Sequence, residues 1–330
     1  MSFNKIAGTL TRFNAYVNYK SPGFDINDVG FHQRADELGQ GFWFQVRENT
    51  PGKHVRDVSV NFNFWQGWNF DGDRRFWGGN VNGHLLFTNN WQFSTGLNYN
   101  GQGFADRLTR GGPGGYTNAA VNQWGFMQSD NRKPVFGSLN FFWFKDRHGA
   151  WQADLSPSVT IRPSSALSIS AGVGFNRNHS QSQWITNLVS TEGPRYIFGR
   201  LNQATMRITA RVNYTITPTL SLQVYAQPFQ SAGDYSGFKE LSNGRSKAYD
   251  ERYRPFNYQG NPDFNIRSFR TTNVLRWEYR PGSAMFVVWQ QGRDHFVPMG
   301  DFEFSRGFGD LFEAPSTNTF LIKFSRWMNF

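Results

Sequence analysis

Side chains able to carry acid–base, nucleophilic or metal chemistry are few in these 330 residues, and they are dispersed. The six histidines, His32, His54, His84, His148, His179 and His295, lack metal-ligand spacing and show no acidic and hydroxyl partners arranged for catalysis. Neither a G-x-S-x-G elbow nor an H-E-x-x-H pattern occurs. Cysteine is absent, which removes disulfides and thiolate metal sites. The expectation is therefore a protein that is not an enzyme. Two acidic pairs, Asp25 with Asp28 in SPGFDINDVGF and Asp71 with Asp73 in NFDGDRRF, place carboxylates in short loops, as a hard cation such as calcium requires. The EF-hand pattern is not met, and aspartates that bond their own turn backbone account for the same residues.

A parity of arginines is the strongest chemical signal. One set of alternate residues reads Arg270, Thr272, Val274, Arg276, Glu278, Arg280, and the other contains Leu275, Trp277 and Tyr279. Arg207 and Arg211 stand in the same way against Ile208, Ala210 and Val212. Guanidinium groups around a wet lumen favour anions, with Glu278 compensating part of the charge. Interior arginines also pair with wall carboxylates and stiffen the wall, and the sequence leaves both readings open.

Such residues need strands with one wet and one apolar side. Alternation at period two recurs along the chain, as in Trp91, Phe93, Thr95, Leu97, Tyr99 against Gln92, Ser94, Gly96, Asn98, Asn100. It predicts about sixteen strands, at 7–20, 39–49, 54–69, 74–88, 91–104, 119–129, 134–145, 149–162, 165–178, 183–190, 194–201, 204–217, 219–231, 264–280, 283–292 and 316–330. Strands of about ten residues with this alternation are what a transmembrane β-barrel requires, because closure pairs every backbone group that lipid would leave unsatisfied. No run of apolar residues is long enough for a spanning helix. Mean hydropathy of −0.58 does not exclude the membrane, since only alternate barrel residues meet lipid. The abundance of aromatic residues (Phe 34, Trp 12, Tyr 12) suits interfacial girdles.

Connections sort into short turns, among them 48–52, 163–165 and a STEG turn near 191, and long loops at 21–38, 105–118, 232–263 and 293–315. Short periplasmic turns alternating with long outer loops put both termini on the periplasmic side of a single barrel domain, 1–330. A soluble sandwich or propeller would not produce that alternation, and no blade-length repeat is present. The last strand would turn Phe320, Ile322, Phe324, Met328 and Phe330 toward lipid, an aromatic-ended pattern similar to the signal read by barrel-assembly machinery, with Arg326 interrupting it. The two longest loops carry Tyr235, Phe238, Tyr253, Phe302 and Phe304, which suit either a plug or an outward grip on a glycan or protein. The formal charge of +10 is dispersed through strands, so nucleic acid is not an expected partner. The N-terminal MSFNKIAGTL is no export signal, and a barrel needs export, so the chain is expected to be a mature form or part of a longer precursor.

Several stretches resemble the C-terminal outer-membrane barrel of the family called domain of unknown function 5916, common in Bacteroidetes. They are SPGFDINDVGF (21–31), TRGGPGG (109–115), SDNRKP (129–134), YAQPF (225–229), GDYSGFKEL (233–241) and NPDFNIRSFRTTNVLRWEYRPGSAMFVVWQQ (261–291). The resemblance implies fold and outer-membrane location and brings no assigned activity. Members generally carry a preceding domain similar to a family 9 carbohydrate-binding module, which these residues lack, so sugar binding is not carried over. The expected function is a pore or transport-associated barrel for small polar or anionic solutes, in contact with outer-membrane lipid and lipopolysaccharide. The alternatives are a plugged docking barrel with a periplasmic or surface partner, and a loop-borne glycan-binding protein or hydrolase. No cofactor is expected beyond the calcium considered above.

Overall fold

Alternating side chains point to opposite sides of an extended strand. In the computed structural model, which describes residues 1–328, the alternating segments form one antiparallel sheet of sixteen strands. The strands of the first half are β1 (Ser2–Lys5), β2 (Thr11–Lys20), β3 (Glu37–Glu48), β4 (Val55–Trp68), β5 (Arg74–Phe87) and β6 (Gln92–Asn100). A separate small hairpin, β7 (Phe104–Ala105) with β8 (Gly115–Tyr116), occupies the next loop. The main sheet resumes with β9 (Ala120–Gln128), β10 (Val135–Asp146), β11 (Trp151–Ser164), β12 (Leu167–Ser190), β13 (Gly193–Thr217) and β14 (Leu220–Leu241). A helical turn α1 (Tyr249–Arg252) leads into β15 (Tyr253–Pro255), followed by β16 (Phe264–Arg280), β17 (Ser283–Val297), helix α2 (Phe304–Glu313) and β18 (Ser316–Ser325).

Each main strand pairs with the next main strand along the chain, and β15 adds to the outer edge of β14. The edge strands are β1 and β18, and among the described residues no ladder joins them. No helix is long and apolar enough to cross a membrane, which says nothing of crossing by strands.

Register gives the sheet two chemically distinct faces. One row runs Asn14, Trp43, Asn63, Asn80, Asn98, Asn122, Phe144, Gln152, Asn178. The adjacent row, on the opposite face, runs Phe13, Phe44, Phe62, Val81, Leu97, Gln123, Trp143, Ala153. The second half repeats the division: Ile161, Ile169, Val212, Val224, Asn273, Trp289, Phe320 lie in register on the apolar face. Their neighbours Thr160, Ser170, Arg211, Tyr225, Thr272, Gln290, Thr319 share the polar one. Leu97, Leu155, Ile161, Trp289 and Phe320 are all exposed although large and apolar. A soluble monomer rarely leaves so much contiguous apolar surface open.

Strand number agrees with the sequence reading, while the strands themselves are partitioned differently. The segments expected at 165–178 and 183–190 are one strand, β12, and those at 194–201 and 204–217 are one strand, β13. The segment expected at 7–20 is strand only from Thr11, as β2, and β1 at Ser2–Lys5 precedes it as a strand the alternation did not indicate. The supposed link at 201–204 is regular ladder, in register with β12 and β14, and the one at 178–181 adjoins a register shift between Ser180 and Gln183 within a continuous strand. Alternation fades there because the loop-end parts of these strands are buried on both sides, as the consecutive Ile197 and Phe198 of β13 are, so no single parity stays apolar and polar residues resemble breaks. With the two false links removed, the STEG turn near 191 becomes the tip of a tall hairpin at the loop end, not one of the short-turn set. At 24 residues and about 3.3 Å per residue, β12 is roughly twice as long as the 9–11 residues a strand needs to span a bilayer.

Two of the long loops are shorter than expected for the same reason. The 232–263 segment begins as strand, with β14 running to Leu241, and contains α1 and β15. The 293–315 segment begins as β17 and contains α2. The 105–118 loop carries part of the small β7–β8 hairpin, and 21–38 ends in the first residues of β3.

Candidate functional site

The polar face is built differently in its two halves. Across β3 to β9 it is a ladder of neutral amides: Asn61 accepts from Trp43 Nε1 (2.9 Å) and Gln45 Nε2 (3.0 Å) and donates to Asn82 Oδ1 (2.8 Å). Asn63 donates to Asn80 (2.7 Å), Asn80 to Asn98 (2.7 Å) and Asn98 to Asn122 (2.5 Å). Each amide offers both donor and acceptor, so the chain of bonds passes from strand to strand with no net charge. The sequence reading missed this ladder. Its signal was present in the same-parity asparagines of VNFNFWQ, NVNG and NYN, which look like generic polar residues until register aligns them.

The second half uses charge. Arg207, Arg211, Arg270 and Arg276 all fall on the polar face, as the parity predicts, with Glu278 beside them. Three are paired: Arg207 with Asp154 (3.1 Å), Arg270 with Asp294 (2.7 Å) and Arg276 with Glu278 (2.6 Å). Arg207 also donates to Ser156 Oγ at 2.8 Å. Arg211 lies 5.3 Å from the Tyr225 ring centre. Arg280 sits beyond a register shift at the β16–β17 turn, opposite Ser283 and away from the others.

At the loop end, chain segments distant in sequence are stitched together. Arg245 forms a two-pronged bond to Asp73 (2.8 and 3.1 Å), Tyr116 N donates to Gly244 O (2.9 Å) and Gln102 Nε2 to Lys247 O (2.8 Å). Asn187 reaches Thr109 O at 2.9 Å, and Arg34 pairs with Asp106. Burial opposes ionisation of Asp106, but its bond to Arg34 and the charges of Arg34, Arg75 and Arg107 outweigh this and hold its carboxyl below the usual range.

The ends of β5, β6 and β10 and residues 178–182 of β12, with the segments around Tyr116 and Arg252, line a half-open chamber of about 460 Å³ whose walls include Trp77, Phe144, Asn178, Ser182, Arg252 and Tyr253. Gly101 is required at its rim, since a Cβ there would lie 1.8 Å from the Trp77 ring. Arg252 is 1 % exposed. Its Nη1 donates to Tyr116 O and its Nη2 to Asn118 Oδ1 (2.5 Å), while Nε has no partner. No ion pair to Arg252 is formed among the described residues, and Asn118 in turn donates to Asp146 (2.6 Å). Burial lowers the guanidinium from its ordinary value, opposed by nearby Tyr253, Tyr249, Asp146 and Asp250. A buried donor left unmet costs about 1–3 kcal/mol, and more when charged. A shallower groove beside β1, lined by Met1, Phe3, Val17, Phe42 and Phe64, carries no charged side chain and belongs to the sheet edge.

The remaining sequence candidates are scattered. Tyr253 reaches the chamber and packs 5.3 Å from Phe198, whereas Tyr235 and Phe238 are strand residues of β14, packed against Phe264 and Tyr258. Phe302 packs on Phe175, and Phe304 stacks along α2 on Phe308. Phe320, Ile322, Phe324 and Met328 are exposed, and Phe330 lies outside the described residues. Asp25 accepts from Asn27 N (2.9 Å) in its own turn, and Asp73 is held by Arg245. Neither Asp28 nor Asp71 joins them: among the described residues no three His, Cys, Asp or Glu side chains gather as a metal site.

Residues 1–330 match the model of the family described as Domain of unknown function (DUF5916), so the chain belongs to that family. No curated protein matches it.

Proposed function

We propose that this member of the DUF5916 family is an integral outer-membrane β-barrel providing a passage for small polar or anionic solutes, its outer mouth narrowed by the loops around Arg252. One observation carries the reading: sheet register assigns the exposed Leu97, Leu155, Ile161 and Phe320 to one face and the asparagines and arginines to the other. An open edge in lipid leaves backbone groups unsatisfied at several kcal/mol each, roughly, so the barrel would close. The natural seam joins β18 to β2. Both have ten residues, run antiparallel and alternate in the same sense, with Phe13, Ala15, Val17, Tyr19 matching Phe320, Ile322, Phe324. The four-residue β1 occupies that edge of β2 and would have to leave. Sixteen strands less β1 and β15 leave fourteen, an even number that returns both ends of the barrel to the periplasmic side. Lipid and lipopolysaccharide would cover the apolar face, and β18 would present its aromatic edge to the assembly machinery.

A docking barrel is the second reading, favoured by the carboxylate partners of Arg207, Arg270 and Arg276 and by the loop cross-links. Planar-bilayer recording from protein shown to be inserted separates the two. Steady conductance with anion preference is the outcome expected of the passage, and folded, heat-modifiable protein that conducts nothing would leave the docking barrel. Identical migration of boiled and unboiled folded samples in SDS would contradict a closed barrel altogether.

A further inference from the structure

The chamber at the loop end combines three features that together describe a ligand. It has a cation that is 1 % exposed and forms no ion pair among the described residues, a guanidinium Nε with no partner, and partly aromatic walls. Arg252 is held rather than free: Tyr116 O and Asn118 Oδ1 each accept one bond from a terminal nitrogen and the Tyr249 ring centre lies 5.0 Å from the guanidinium carbon, while Nε makes no hydrogen bond among the described residues. Protein sites that bury arginine normally supply a carboxylate, because an unpaired charge is costly away from water. Here the neutral Asn118 stands where the counter-charge would be, and Asp146 is engaged by Asn118 and by the backbone of His148 and Ala150. The volume of about 460 Å³ falls in the range of small-molecule sites.

We propose that the chamber binds a small carboxylate carried on an apolar ring, with one carboxylate oxygen accepting from Arg252 Nε and the ring lying among Trp77, Phe144 and Tyr253. A singly charged carboxylate fits better than a phosphate because Arg75, the other guanidinium lining the cavity, is already paired with Glu37 and Asp106, which leaves Arg252 as the one arginine of the lining without an ion pair among the described residues. Ser182 Oγ, 2.8 Å from Tyr249 Oη, is one of the hydroxyls lining the cavity that could serve the second oxygen. The site goes beyond the passage reading and does not depend on it, since strand and loop segments form the chamber whether or not the sheet conducts.

Benzoate is a suitable probe, with neutral benzamide as its counterpart of nearly the same shape, each titrated calorimetrically into the full chain in a nonionic detergent. Benzoate should bind at least tenfold more tightly than benzamide, because a charge-assisted bond to a guanidinium is lost with the charge. Arg252→Gln should abolish that preference, and Arg252→Lys, which keeps the charge but not the Nε donor, should retain part of it. Equal affinity for the two probes, no binding of either, or undiminished benzoate preference in folded Arg252→Gln would overturn the proposal. The two-probe comparison needs no variant, so it decides the matter even if the substitutions disturb the loops. Benzoate binding to protein that fails to conduct would remove the passage and leave this site standing.

Discussion

The two halves of the polar face solve one problem by different means. Between β3 and β9 asparagine side chains bond strand to strand, and the ladder they form carries no charge. Between β11 and β17 arginines do comparable work against Asp154, Glu278 and Asp294. Bonds between neutral amides present no charge for salt to screen. An ion-pair wall is screened by salt over about 10 Å at 0.1 M and keeps a local field wherever a cation, such as Arg211, is not matched by an acid. The difference teaches that a passage through this sheet would have one side lined mainly by neutral amides and one charged side.

The largest effect tests the face assignment on which that comparison rests. Val212→Arg, in the apolar row of Ile161, Ile169 and Trp289, should destabilise the inserted protein by about 2–4 kcal/mol. Asn213→Arg, one residue along on the polar face, should be far milder. Urea titration of liposome-inserted protein measures both, and equal costs would mean that the faces are misassigned.

Breaking the amide half comes next. Asn61→Leu removes the acceptor for Trp43 and Gln45 and the donor to Asn82 at a position only 6 % exposed. It should cost about 1–3 kcal/mol, unchanged between low and high salt in the same assay. A salt-dependent loss would show that the ladder is not acting through neutral bonds.

The ion-pair half should yield less. Arg207→Met breaks a pair with Asp154 whose arginine is 40 % exposed, so a loss of about 0.2–1 kcal/mol is expected, shrinking as salt rises. A large, salt-independent loss would make this wall a structural equivalent of the amide side. The smallest effect belongs to pH at the loop end. Asp106 has its folded pKa below the ordinary 3.8, so the stabilisation it brings is fully present above that value and is lost as pH falls through the lower folded pKa. Hydrogen exchange in residues 101–118 should therefore stay slow at pH 5 and quicken only below about pH 4, while strands β4 to β6 stay protected throughout. Loosening of the loop already at pH 6 would contradict the clamp.

Much of this was legible in the sequence. Strand number, antiparallel order and the facing of Arg207, Arg211, Arg270 and Arg276 follow from period-two alternation, because a pleated strand leaves a side chain only two directions. Where both directions are buried the signal disappears: Ile197 and Phe198 are consecutive and buried, as are Gln230, Ser231 and Ala232, so alternation gives only part of β13 and of β14. The Asn61–Asn82 bond and the Arg252 chamber were out of reach for another cause: both depend on which residues face one another across strands or loops, 134 residues apart for Arg252 and Asn118. Alternation carries no such information. The acidic pair Asp71 and Asp73 shows the opposite failing, since local spacing suggested a cation site while Arg245, from a distant loop, holds Asp73.

The central claim is that one face of the sheet meets lipid and the other water, and the absence of cysteine makes it directly measurable. Single cysteines at 155 to 161 in β11 sample both faces in seven consecutive residues, Leu155, Pro157, Val159 and Ile161 on one and Ser156, Ser158 and Thr160 on the other. In liposome-inserted protein the account predicts rapid labelling by a water-soluble maleimide at 156, 158 and 160, with fluorophores at 155, 159 and 161 quenched by nitroxide lipids. Uniform labelling along the strand, or quenching that ignores parity, would contradict it.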